Sequence, residues 1–126
     1  MSIPFYDPLI EARFSQFEDA DFALKLRAYI FSIAENMGLD TIEESLKWNQ
    51  PSYLCKSGTA VRIAEQGGHM GYFVSCQTSI IETLKETYPD SNYDKTRGLL
   101  IDVDAPIPEV ASTLIQAAFL YKIKIR

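Results

Sequence analysis

The chain has 126 residues, 47% of them hydrophobic and 23% charged, enough for one domain with its own core and too few for two. Its 17 acidic and 12 basic side chains give a formal net charge of -5, which argues against a nucleic-acid partner, because phosphate backbones are held by clustered Lys and Arg. An acidic surface instead suits cations or basic proteins.

The first residues carry no basic run followed by an apolar one, and no stretch approaches membrane-spanning length, so a cytoplasmic protein is expected. Residues 1–16 are expected to form a loosely ordered lead and 17–126 a single domain. From Asp19 to Met37, the apolar residues Phe22, Leu26, Tyr29, Ile30, Ile33 and Met37 recur at helical spacing, and Gly38 supplies a left-handed stop. Asp40-Thr41-Ile42-Glu43 can cap a second, shorter helix ending near Trp48.

Pro51 then turns the chain extended, and Ser52–Lys56 and Ala60–Gln66 are predicted strands. Gly67-Gly68 signals a hairpin leading into a third strand, His69–Cys76. Alternation puts His69, Gly71, Phe73 and Ser75 on one face of it and Met70, Tyr72, Val74 and Cys76 on the other. Ser79-Ile80-Ile81-Glu82 has the form of a capping box for a helix that Pro89 must close. Asp90–Thr96 is predicted to be a mobile flap, and Arg97–Val103 a strand. Pro108 opens a C-terminal helix carrying the apolar stripe Val110, Leu114, Ala117, Ala118 and Tyr121, with Lys122, Lys124 and Arg126 favouring its negative end. Strands grouped apart from helices predict an α+β fold, an antiparallel sheet with helices packed on one face and the other face partly free.

Leu46-Lys47-Trp48-Asn49-Gln50-Pro51-Ser52-Tyr53, a strand pair, Gly68-His69-Met70-Gly71-Tyr72-Phe73 and the later Arg97 together resemble the YdhG-like family of small bacterial domains. The likeness runs from about residue 17 onward. It implies a frataxin-like α+β fold and, for some members, an iron chaperone that delivers Fe(II). Asn49 stands where that family usually has glycine, and Gly68 where a lysine precedes the histidine.

Four groups of side chains are candidates for function. Trp48 and Tyr53 flank Pro51, where they either line a pocket or anchor a helix to the sheet. Arg62 and Arg97 lie in otherwise apolar strands, suited to clamping a carboxylate or phosphate unless Glu65 or Asp102 neutralises them. His69, the only histidine, either faces a space left by Gly71 or stands in solvent. The acids Glu18, Asp19, Asp21, Asp40, Glu43 and Glu44 offer hard oxygen ligands for weakly held Fe(II), or simply cap helices; Asp102 and Asp104 are further candidates. Cys55 and Cys76 read as small buried hydrophobes without a C-x-x-C partner, with a disulfide left open. No nucleophile and base are spaced for catalysis, so the expected role is binding or carriage: iron, a small anion, or a protein partner.

Overall fold

The computed structural model describes residues 3–39, 41–56 and 58–121. Among them, four helices and six strands form an α+β fold with a wholly antiparallel sheet. The helices are α1 (Pro8–Ser15), α2 (Ala20–Asn36), α3 (Ile80–Thr87) and α4 (Glu109–Phe119). The strands are β1 (Ile42–Lys47), β2 (Gln50–Cys55), β3 (Val61–Gln66), β4 (His69–Phe73), β5 (Tyr93–Asp94) and β6 (Gly98–Ile101), in sheet order β1-β2-β3-β4-β6-β5.

The expected lead is not loose over its second half. Asp7 accepts a hydrogen bond from the Leu9 N–H (2.9 Å), Pro8 occupies the first helical position, and Ile10 and Phe14 enter the core. Asp19 caps α2 in the same way, bonding the Phe22 N–H at 3.0 Å. Gly38, at φ +72°, ends that helix as expected.

The predicted second helix is instead strand β1, and this is the largest correction. Its residues alternate, with Ile42, Glu44 and Leu46 toward the helices, and each is paired with β2. Trp48 (φ +50°) and Asn49 (φ +61°) form a two-residue type I′ turn, the geometry that joins twisted antiparallel strands. The meander therefore has four strands where three were expected. Asp40, the proposed cap and metal ligand, and Lys122, Lys124 and Arg126 lie outside the described residues.

Four smaller corrections follow from local geometry. Ser79 sits at φ +63° and makes no side-chain cap; the Thr78 hydroxyl accepts from the Ile80 N–H instead (3.3 Å). The expected flap contains β5, which binds the sheet edge through β6. The last predicted strand is shorter, Gly98–Ile101. Cys76 opens a 3-10 turn and is exposed, while Cys55 is half-buried, and both are free thiols.

One continuous core holds residues from all four helices and from one face of the sheet. The Tyr72 hydroxyl donates to the Leu26 carbonyl at 2.7 Å, and Phe31 meets Tyr53 edge-on at 5.7 Å, so α2 is fixed to β4 and β2. Among the described residues no helix packs on the opposite face of the sheet, and that is where the arginines emerge.

Candidate functional site

A lateral row crosses the uncovered face through all six strands. Register makes Ser45, Ser52, Arg62, Phe73, Gly98 and Asp94 successive neighbours. Phe73 lies against Gly98, where a Cβ would run into its ring, so the glycine is what lets the phenyl group flatten onto the sheet. Arg62 stands in the middle of this row.

Arg62 Nη1 donates to Gln50 Oε1 at 2.9 Å, and its guanidinium lies 5.9 Å from the Trp48 ring centroid, at the outer reach of a cation–π contact. Partial burial lowers its pKa, and the nearby Arg97 lowers it further. Among the described residues no carboxylate pairs with it. The expected partner Glu65 is on the other face, where it accepts from the Glu18 N–H at 3.2 Å.

Arg97 approaches Asp94, with Nη2 and Oδ2 3.6 Å apart, too long for a hydrogen bond. That Asp94 oxygen is buried and receives no hydrogen bond. The other expected partner, Asp102, instead accepts from the Asp104 N–H at 2.9 Å. Arg62 and Arg97 therefore have, among the described residues, only the weakly engaged Asp94 as a salt-bridge partner between them.

Trp48 is 87% exposed at the tip of the β1–β2 turn and does not anchor a helix. A bulky residue at positive φ is strained, and asparagine or glycine would suit the position better. The turn is held in place from outside, since Arg13 Nε donates to the Asn49 carbonyl at 2.7 Å. Tyr53 is separated from Trp48: alternation sends it to the helix-covered face, where its hydroxyl donates to Glu44 Oε2 at 2.7 Å. Burial, then the Glu44 charge, drives its pKa far above the ordinary tyrosine value.

His69 is exposed at the far end of β4 and lines a different feature, an open cleft of about 670 Å³. Glu18, Asp19, Glu65, Asp102 and Asp104 rim this cleft, over a floor that includes Phe22 and Ile101. Of the proposed metal ligands, Glu18, Asp19, Asp102 and Asp104 reach it. Glu44 is taken up by Arg27 and Tyr53, and Glu43 points to the uncovered face. Among the described residues no three His, Cys, Asp or Glu side chains are grouped to hold a metal ion.

Of the five residues proposed to line a ligand pocket, the fold thus gathers Trp48, Arg62 and Arg97 and sends Tyr53 and His69 elsewhere. Gln50, Phe73 and Asp94 complete the cluster and went unrecognised in the sequence. Gln50 alternates with Ser52 and so shares Arg62's face, but that signal depends on knowing that β2 begins before Pro51. Comparison with protein-family models, with curated proteins and with solved structures returns no match, so the geometry carries the functional argument. No helix among the described residues is long and apolar enough to cross a membrane.

Proposed function

We propose that this protein is a non-catalytic binding domain that takes an anionic ligand, a carboxylate foremost, on its uncovered sheet face. The observation behind this is Arg62: a half-buried guanidinium, bonded to a neutral amide, next to a second cation and under an exposed indole. A carboxylate relieves both the desolvation and the repulsion by accepting two parallel N–H bonds from the guanidinium fork. Trp48 supports the same reading, because its strained turn conformation contributes nothing to packing, and strain of this kind gathers at binding sites. The reading keeps the cytoplasm as the protein's place.

The test is a thermal-shift titration with mono- and dicarboxylates, aliphatic and aromatic, followed by Trp48 fluorescence. A ligand at 100 times its dissociation constant adds about 2.7 kcal/mol of stability. The expected result is a rise in Tm and a fluorescence change with a carboxylate, both abolished in Arg62→Gln. Absence of any anion response in the folded wild-type protein would reject the proposal.

The YdhG resemblance offers a second reading, an iron carrier, and the acids around the His69 cleft favour it. Weak Fe(II) binding there should fall in Asp102→Asn/Asp104→Asn and be untouched by Arg62→Gln. Binding no stronger than that of a carboxylate-matched control protein removes this alternative.

A further inference from the structure

Strand β1 is the outer strand at one end of the sheet, and among the described residues no strand pairs with its other edge. The type I′ turn at Trp48-Asn49 makes Lys47 and Gln50 a hydrogen-bonded pair. Antiparallel alternation then bonds Ser45 to Ser52 and Glu43 to Leu54, and directs the N–H and C=O groups of Ile42, Glu44 and Leu46 away from β2. Pro51, which has no N–H, stands opposite Leu46, where none is required. Among the described residues these three outward-facing residues have no other backbone partner.

We propose that a second copy of this chain pairs on β1, antiparallel, about a two-fold axis through Ser45. Charge selects both this occupant and this register. Glu43 and Lys47 are exposed and unpaired among the described residues, and the axis sets each opposite the other in the second copy. The same register matches Glu44 with Leu46, both outward-facing, as the hydrogen-bonded pair. Shifting the axis to Glu44 sets that carboxylate against its own symmetry mate and leaves Glu43 opposite Ser45. Charges at both ends of an edge strand deter arbitrary strands while fitting this one.

The two sheets then continue into one another. Because the axis is perpendicular to the sheet, both uncovered faces lie on the same side, and both Arg62 clusters point the same way. The dimer stands whether or not those clusters bind an anion.

Sedimentation of the full chain over a wide concentration range, together with a crosslink, tests the proposal. The wild type should dimerise, Lys47→Glu should weaken the dimer at least tenfold, and Glu43→Lys/Lys47→Glu should restore it. In a Cys55→Ser/Cys76→Ser background, Ser45→Cys should form an intermolecular disulfide under mild oxidation. Facing residues in a non-hydrogen-bonded pair are about 4.5 Å apart at Cα, within disulfide reach. A wild type that stays monomeric at millimolar concentration overturns the proposal. So does a dimer indifferent to charge reversal in variants that melt like the wild type, or a Ser45→Cys chain that fails to crosslink.

Discussion

Arg27 and Glu44 meet inside the core in a two-point ion pair, Nε to Oε2 at 2.6 Å and Nη2 to Oε1 at 3.1 Å. Two further guanidinium N–H groups donate to the Ile3 and Pro4 carbonyls, at 2.7 and 3.0 Å, and the Phe5 ring centroid lies 3.7 Å from the guanidinium carbon. One buried cation therefore fastens the N-terminal segment, α2 and β1 together. Tyr53 adds a neutral donor to the same carboxylate.

Breaking this pair from one side strands a charge in the core. Arg27→Met should cost about 3–5 kcal/mol. The Arg27→Met/Glu44→Met double variant should lose less than the sum of the two single variants, with a coupling of roughly 0.5–3 kcal/mol. Urea denaturation of the four proteins checks this. Additive losses would show that the pair does not act as a unit.

Alkali should destabilise the protein through its buried tyrosines. Tyr53 and Tyr72 are both raised by burial above the ordinary value of about 10. The unfolded chain then loses its phenolic protons first, so the stability they contribute is intact below pH 10 and falls as pH rises beyond it. Tyr72→Phe should flatten this alkaline limb while costing about 1 kcal/mol at neutral pH, through the lost bond to the Leu26 carbonyl. Melting temperature against pH shows both effects.

Trp48 should behave as a ligand-facing group whose removal leaves the fold intact. Its emission should be that of a solvent-exposed indole, readily quenched by iodide. Trp48→Asn should raise stability by up to about 1 kcal/mol by relieving the positive-φ strain. The same variant should weaken carboxylate binding. A blue-shifted, unquenched emission would contradict the exposed turn.

Gly71 has no room for a side chain. A Cβ there would strike the Leu99 carbonyl and the Leu100 backbone, none of which can yield without breaking the β4–β6 ladder. Gly71→Ala should therefore cost more than about 2 kcal/mol, measured by denaturant midpoint. Gly67→Ala, where nothing lies within 4 Å of a built Cβ, isolates the backbone penalty of a positive φ alone.

Sequence alone determined the elements whose signals are local. The helical stripe of α2 with its Gly38 stop, the Gly67-Gly68 hairpin, the two faces of β4 and the C-terminal helix all follow from spacing and backbone chemistry within a few residues. From these the α+β class and the antiparallel sheet follow as well. Tertiary structure decided what depended on distant partners. The segment after Asp40 has a helix-like cap and acids suited to a helix start, but a helix that short is marginal by itself, and pairing along β2 outweighs its propensity. That reversal moved Trp48 from a buried anchor to an exposed turn and set Glu44 against Arg27. Arg27 occupies the buried stripe at helical spacing from Ala23 and Ile30, a visible sign that it needed a partner, but the partner's identity was fixed only when β1 folded beside it. Arg62 was legible as an unusual strand residue, whereas Arg97, expected in a strand, sits in the turn just before β6. Their approach, with only the weakly engaged Asp94 beside Arg97, required β3, β4 and β6 to be laid side by side.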